Sequence, residues 1–185
     1  MAILDSNSPL NGARGRFGNL ILRRCGDRTL VYLAPEPSAK PPSARQRVTG
    51  QRFGRAGSYA SHVCANPAQR HAYARLDSVL TVRELAVRDH LHAPEVTRII
   101  DAEYEGNQGN LIRVYATDDT KVAAVNVTIR DATGKVFERG RARDVRFYWA
   151  YRAKTSVPPG TKVTIEATAR DLAGNRAVLG KEVEI

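Results

Sequence analysis

The sequence predicts a mainly β protein with a helical insert, and three features support this fold class. After Pro94, apolar residues alternate with polar ones in short segments, and a period of two residues is typical of half-buried strands. Residues 43–92 instead contain helix-capping residues and helical spacing. Before Ala34, two β-prone runs flank a Gly-Asp turn, which indicates a hairpin. We therefore expect an N-terminal arm over residues 1–42, a small helical segment over residues 43–92 and a β-sandwich over residues 93–185.

The predicted arm contains the hairpin and a spacer. The β-prone runs lie within residues 10–25 and 29–33. An isolated two-stranded hairpin is marginally stable in water, so we expect it to pack on another surface, where its unpaired edges favour strand addition. Residues 35–42 contain four prolines and predict a stiff, extended spacer. The residues expected to form the assembly surface are Phe17, Asn19, Leu20, Ile21, Leu22, Leu30, Val31, Tyr32 and Leu33.

Three helices are predicted in the helical segment. Ser43 is placed to cap the first, and Asn66 followed by Pro67 is typical of the start of a second. Thr81 and Glu84 have the spacing of a capping box at the start of a third. The first helix contains three glycines, each costing about 1 kcal/mol relative to alanine, so we expect it to need packing to persist.

Seven strands are predicted in the C-terminal region. Turn residues separate them, for example over residues 106–109 and 171–175. About ninety residues in seven short strands fit an immunoglobulin or fibronectin type III β-sandwich. Trp149, the only tryptophan, is expected in its core. The predicted strands lie near residues 95–102, 111–117, 122–131, 135–142, 145–152, 161–170 and 176–185.

Residues 94–185 resemble bacterial immunoglobulin-like modules. The resemblance lies in the Pro-Glu opening strand, in Asp131-Ala-Thr-Gly134 and in Ala169-Arg-Asp-Leu-Ala-Gly-Asn175. The last segment is similar to the Asp-x-x-Gly-Asn turn that precedes the final strand of such modules. The resemblance implies a sandwich fold without a particular function, because this fold serves adhesion, assembly and binding alike.

The whole chain also resembles a group of uncharacterised bacterial proteins. These proteins combine a basic Gly-x-x-Gly-Asn-Leu hairpin, a short helical segment and an immunoglobulin-like domain in this order. The shared motifs are Gly15-Arg-Phe-Gly-Asn-Leu20, Gln51-Arg-Phe53 and a boundary over residues 89–95. Short hairpins of this type are also similar to small proteins from phage and mobile-element regions. The resemblance implies the order of the parts and no activity.

Positive charge is concentrated in the first half of the chain. Residues 1–92 carry 14 Lys and Arg against 6 Asp and Glu, whereas residues 93–185 carry 15 against 13. A localised basic surface favours an acidic partner such as nucleic acid or an acidic protein face, although a solvated surface explains it as well. The arginines expected to make basic contacts are Arg14, Arg16, Arg23, Arg24, Arg28, Arg45, Arg47, Arg52 and Arg55.

Catalytic and metal-binding patterns are weak. There is no G-x-S-x-G motif or phosphate-binding loop, so we expect no enzymatic activity and no cofactor. His90 and His92 lie close to Asp89 and Glu95 and together supply ligand types for a metal, but structural or capping roles are favoured. Acidic residues in loops at one end of a sandwich are weak candidates for calcium, but Asx turns explain them without a metal, and none is assigned. These weak candidates are Asp118, Asp119, Asp171 and Asn175.

These features predict a non-enzymatic structural protein that self-associates, or joins an assembly partner protein, in a filament, ring or phage-like shell. Its arm would pair with neighbouring subunits. One alternative is a nucleic-acid-associated protein with a basic arm and the sandwich as a tether. Another is a ligand- or carbohydrate-binding sandwich with Tyr148 or Trp149 as a platform. Residues 1–9 lack a secretory pattern and no run is long enough for a bilayer. We therefore expect no membrane partner, cytoplasmic synthesis, and residence in the cytoplasm or a virion.

Overall fold

A computed structural model describes residues 2–4, 8–36 and 40–185. The chain divides into two compact units, Met1–Ser43 and Ala44–Ile185. In the described residues the protein is mainly β, with three helices and three antiparallel sheets, which confirms a mainly β class with a helical insert. Residues 37–39 of the predicted proline spacer lie outside the described residues.

The first unit contains a four-stranded antiparallel sheet. Its strands are β1 (Ala2–Leu4), β2 (Gly15–Phe17), β3 (Leu20–Cys25) and β4 (Arg28–Leu33). They have the order β1-β4-β3-β2. The predicted hairpin is present as β3 and β4, but it is not two-stranded as expected, because β1 pairs along the outer edge of β4 and β2 along that of β3.

Two tight turns and one buried threonine hold this sheet together. Gly18 and Gly26 have φ angles of 57° and 61°, the left-handed conformation that two-residue hairpin turns require at their first central position. The buried Thr29 hydroxyl accepts a hydrogen bond from the Gly12 amide at 2.7 Å and donates one to Asn11 Oδ1 at 3.1 Å. The loop before β2 is therefore tied to β4.

The second unit begins with three helices, α1 (Ala44–Ala65), α2 (Pro67–Ala74) and α3 (Val82–Leu91). The predicted caps are present. The side chain of Asn66 accepts hydrogen bonds from the first amides of α2, and Thr81 and Glu84 form a capping box at the start of α3. The buried side chains that the helices share are Ala60, Val63, Tyr73, Leu85 and Ala86.

Eight strands follow the helices and form two antiparallel sheets. The strands are β5 (Glu95–Glu103), β6 (Leu111–Thr117), β7 (Val122–Asp131), β8 (Val136–Arg141), β9 (Arg143–Asp144), β10 (Trp149–Arg152), β11 (Lys162–Asp171) and β12 (Arg176–Glu184). One sheet has the order β5-β6-β10-β9 and the other the order β12-β11-β7-β8.

Both of these sheets contribute to one hydrophobic core. In β11, alternate residues from Val163 to Ala169 are buried, which is the burial pattern of a strand with one face on a core. Ile112 of β6, in the other sheet, belongs to the same core. Trp149 is also buried in this core, as predicted.

One predicted strand, over residues 145–152, is shorter than expected. The strand β10 begins only at Trp149, and the short strand β9 precedes it. Arg146 has a φ angle of 75°, and its amide donates a hydrogen bond to Asp144 Oδ1 at 2.8 Å. A left-handed conformation interrupts an extended strand, so residues 145–148 connect β9 and β10 instead.

A substitution at Gly106 tests how the Ile185 side chain packs against this position. Its φ angle is 79°, and a Cβ placed there would overlap the Ile185 side chain, whereas a Cβ at Gly160, with φ of 75°, would meet nothing within 4 Å. We expect Gly160→Ala to lower the free energy of unfolding by about 1–2 kcal/mol through backbone strain alone. Gly106→Ala should lower it further because of the overlap. Chemical denaturation measures both losses, and equal losses would contradict this packing.

Candidate functional site

Three aspartates from separate parts of the second unit meet beside the end of α3. Asp89 lies in the last turn of α3, Asp118 lies in the connection between β6 and β7, and Asp171 ends β11. One carboxylate oxygen of each lies within 4.8 Å of the others. Asp89 and Asp171 are fully buried, and Asp118 is half-buried.

Two of these carboxylates organise their own loops. Asp118 Oδ1 accepts hydrogen bonds from the amides of Thr120 at 2.6 Å and Lys121 at 2.8 Å. Asp171 Oδ1 accepts hydrogen bonds from the amides of Gly174 at 2.6 Å and Asn175 at 2.7 Å. These are the Asx turns expected from the sequence. Each carboxylate thereby binds the backbone amides of its own loop through its Oδ1 atom.

Asn175 connects the loop after β11 to the end of α3. Its Nδ2 atom lies 2.8 Å from the backbone oxygen of Asp89, 3.3 Å from that of His92 and 2.7 Å from Asp171 Oδ2. Each contact has the geometry of a hydrogen bond donated by the amide. The C-terminal end of α3 is therefore held directly against the β11–β12 loop.

Two of the remaining carboxylate oxygens of the cluster have no hydrogen-bond partner. Tyr73 donates its hydroxyl proton to Asp89 Oδ2 at 2.6 Å, but Asp89 Oδ1 and Asp118 Oδ2 are buried without a hydrogen-bond partner of normal geometry. Among the residues the structure describes, no Lys, Arg or His side chain pairs with Asp89, Asp118 or Asp171. Three carboxylates therefore share a buried site without a compensating side-chain charge.

This environment shifts the titration of the carboxyl groups. Burial raises the pKa of Asp89 to about 7; the hydrogen bond from Tyr73 opposes the shift, the charges of Asp171 and Asp118 add to it, and the Ala173 amide opposes it weakly. Burial also raises the pKa of Asp171. The site therefore favours either a bound proton or a bound cation.

Of the two remaining weak metal candidates, Asn175 contacts the cluster as a hydrogen-bond donor, whereas Asp119 lies outside it. Asp119 is exposed, and its carboxylate lies 2.7 Å from His92 Nδ1 and 3.6 Å from Arg88 Nε. His90 stacks on the ring of Tyr59, with ring centroids 5.1 Å apart. The structural roles expected for the two histidines match these contacts.

From the sequence, Asp89 is considered only beside His90 and His92 and is not grouped with Asp118 and Asp171. It lies on the buried face of α3 with Leu85 and Ala86. A charged residue at the helical spacing of apolar core positions is the signal that points to it, because an unpaired charge is seldom placed there without a partner.

The residues of the predicted assembly arm divide between two faces of the first sheet. Residues directly paired across antiparallel strands lie on the same face. Phe17 pairs with Leu20, which pairs with Leu33, so these three form one row. The same face carries Leu22 and Val31 in the next row. Asn19 lies in the turn between β2 and β3, and its carbonyl accepts a hydrogen bond from the Ala34 amide at 2.8 Å.

The opposite face of this sheet mixes apolar and basic side chains. Arg16 lies opposite Ile21, and Ile21 lies opposite Tyr32. Arg23 lies opposite Leu30 in the same ladder, and Arg28 shares this face. All nine arginines named as basic contacts are exposed, including the four in α1. Some also donate hydrogen bonds to nearby backbone carbonyls. For example, Arg16 Nε lies 3.1 Å from the Gly18 carbonyl oxygen.

The aromatic residues considered for ligand stacking already have partners. The Tyr148 ring packs against Tyr115, with centroids 6.0 Å apart, and the Arg113 guanidinium lies 5.6 Å from its centroid. The guanidinium of Arg98 lies over Tyr115 in turn, at 4.6 Å. Tyr148 is half-buried, and Trp149 is buried.

Comparisons with known proteins give little guidance. No protein-family model and no curated protein matches the chain. A crystal structure of an engineered protein matches with a TM-score of 0.35 and 23% sequence identity, over 42% of this chain and 16% of the matched chain. A likeness at this level identifies neither a fold nor a function. None of the helices in the described residues has both the length and the apolar character needed to cross a membrane.

The raised pKa of Asp89 predicts a pH-dependent stability in metal-free protein. In the unfolded chain this carboxyl titrates near 4, so the folded state binds more protons between about pH 4 and 7, the range bounded by the raised folded value. The contribution is fully present below pH 4 and is lost as the pH rises through 7. We expect the free energy of unfolding in EDTA to fall by about 2 kcal/mol more in wild type than in Asp89→Asn between pH 5 and 8.

The variant Asp89→Asn is a matched control because its amide oxygen still accepts the hydrogen bond from Tyr73. Chemical denaturation at several pH values measures the difference between the two proteins. Parallel pH profiles would contradict a raised pKa at this position.

Proposed function

We propose that this chain is a non-enzymatic structural protein that assembles with copies of itself through its N-terminal unit. The observation that carries this proposal is the poor burial within that unit. Among its described residues only Leu22 and Thr29 are buried, while Phe17 and Leu33 each expose 72% of their surface. A unit of this size with so small a core gains little hydrophobic stabilisation alone, so a partner surface is expected.

The apolar row of Phe17, Leu20 and Leu33 is the proposed docking surface. Full burial of a side chain of this size contributes about 1.5–3 kcal/mol. Two exposed members of one row therefore offer a substantial gain to a partner that covers them. The main contact that we propose therefore lies on a face of the sheet rather than only at the edge of a hairpin.

Strand edges supply a second means of docking. β2 pairs only with residues 20–22 of β3, and β1 only with residues 29–31 of β4. The remaining outer edges of β3 and β4 have no partner strand among the described residues. Such edges favour the addition of a strand from a neighbouring molecule.

Acidic side chains on a second copy of the chain offer local partners for the arginines of the first half. Residues 1–92 carry a net charge of +8, while residues 93–185 carry 13 acidic and 15 basic side chains, so the complement is local rather than overall. Contacts between the first half of one copy and the second half of the next are head-to-tail, and such contacts produce rings or filaments.

We further propose that the two sheets of the second unit form an immunoglobulin-like sandwich. The support is their strand order. If the strands are lettered in chain order, β5, β6, β10 and β9 correspond to A, B, E and D, and β12, β11, β7 and β8 to G, F, C and C′. The A-B-E-D and C-F-G groupings are those of immunoglobulin domains.

Charge insertion on the apolar row tests the assembly proposal. We expect nuclease-treated wild-type protein to form particles larger than a monomer, and Phe17→Glu or Leu33→Glu to shift it to single subunits, because a buried unpaired carboxylate opposes docking. Phe147→Glu is the matched control, since Phe147 is 84% exposed but lies in the second unit. Sedimentation velocity and negative-stain electron microscopy measure particle size.

Circular dichroism establishes that each variant keeps its fold. A wild-type protein that sediments only as a monomer would contradict the assembly proposal. So would large particles formed equally well by Phe17→Glu.

A second candidate function, binding of nucleic acid, is favoured by the arginines on the opposite face of the same sheet. Arg16, Arg23 and Arg28 share this face with Tyr32, and guanidinium groups bind phosphates without reading sequence. We expect Arg23→Glu to weaken oligonucleotide binding at low salt at least severalfold. Fluorescence polarisation at two salt concentrations measures this. Binding that is indifferent to salt and to the variant would exclude this candidate.

A further inference from the structure

We propose that the carboxylates of Asp89, Asp118 and Asp171 bind one calcium ion, which joins the end of α3 to the loops of the two-sheet region. This site lies wholly in the second unit. The proposal does not depend on assembly through the N-terminal unit.

The spacing of the three carboxylates suits a single calcium ion. Calcium binds oxygen ligands at about 2.3–2.6 Å, so two oxygens on opposite sides of one ion lie about 4.6–5.2 Å apart. The three carboxylate oxygens lie within 4.8 Å of one another. This spacing is close to that of three oxygens around one calcium ion.

The unsatisfied oxygens provide an independent reason to expect a ligand. Asp89 has no solvent exposure, and its Oδ1 atom has no hydrogen-bond partner of normal geometry. The Ala173 amide acts on this carboxylate only weakly. Asp118 Oδ2 is buried and unpartnered as well. An ionised carboxylate oxygen buried in this way is costly unless a cation or a donor compensates it. Among the described residues no basic side chain supplies that charge.

The donor set favours calcium over other cations. Every ligand candidate is an oxygen, which disfavours the softer transition metals. Magnesium requires near-ideal octahedral geometry at about 2.0–2.1 Å, whereas calcium accepts six to eight oxygens in flexible arrangements. Carboxylates from three separate elements, two of them on loops, suit the more tolerant ion. The Thr120 hydroxyl, in the same loop as Asp118, is also buried without a partner.

The alternative explanation of the unpartnered oxygens is that Asp89 is protonated. If Asp89 is protonated, the cluster carries less charge and needs no metal. The two explanations differ in their response to calcium at neutral pH, which makes the proposal directly testable.

Calcium binding can be measured on the full-length protein after treatment with EDTA. We expect one site in a calorimetric titration with calcium chloride. Calcium at about 100 times its dissociation constant should raise the melting temperature by about 5–10 °C, and magnesium at the same concentration by less. Terbium, a luminescent substitute for calcium, should be sensitised by Tyr73, whose hydroxyl lies 2.6 Å from Asp89 Oδ2.

Two adjacent aspartates supply a matched pair of variants. Asp118→Asn keeps the oxygen that accepts the Thr120 and Lys121 amides but removes the charge, so we expect the loop to persist and calcium affinity to fall at least tenfold. Asp119→Asn alters the exposed neighbour that pairs with His92, and we expect it to bind calcium like wild type. Near-UV circular dichroism verifies that both variants are folded.

Two outcomes would overturn the proposal. One is a wild-type protein whose melting temperature and terbium luminescence do not respond to these ions, which would leave a proton on Asp89 as the explanation. The other is calcium binding that Asp118→Asn leaves unchanged, which would place the ion elsewhere.

Discussion

The buried carboxylate of Asp89 is the constraint around which the second unit is organised. A charge in this position is costly without partners, and the neighbouring elements form hydrogen bonds with its side chain, with that side chain's partner and with its backbone. Tyr73 of α2 donates its hydroxyl to Asp89, and the Tyr59 hydroxyl of α1 lies 3.0 Å from that of Tyr73. Asn175 binds the Asp89 backbone carbonyl from the other side. The helices and the two-sheet region thereby meet at one polar point inside a single compact unit.

The two units obtain their order from different sources. The second unit has a continuous apolar core to which both of its sheets contribute, so most of its strands are held by side-chain burial. The first unit has only two buried side chains among its described residues. Its order comes from hairpin turns, strand pairing and the Thr29 hydroxyl, which are local and individually weak. This difference explains why the exposed apolar row of Phe17, Leu20 and Leu33 lies in the first unit.

Most of the fold could be predicted from the sequence because its signals are local. The capping box of Thr81 and Glu84 and the alternation along β11 lie within a few residues of each other. The strands β1 and β2 escaped prediction because each has three residues, and so short a segment becomes a strand only through its partner. For the aspartate cluster, too, the sequence indicated only the members that lie in local turns. Asp118 and Asp171 lie in recognisable turns, whereas Asp89 joins them through contacts such as that of its carbonyl with Asn175, 86 residues away.

One face of the first sheet carries the exposed apolar row, and the other also carries arginines. Assembly and nucleic-acid binding therefore need not exclude each other. Burial of the Phe17, Leu20 and Leu33 row depends on apolar area and is insensitive to moderate salt. Contacts of Arg16, Arg23 and Arg28 with phosphates release counterions and weaken steeply as salt rises. Salt therefore separates the two contributions within one preparation. If the particles keep their size at high salt while losing bound nucleic acid, contacts of the apolar face hold them together. If the particles dissociate, contacts of the arginines hold them together.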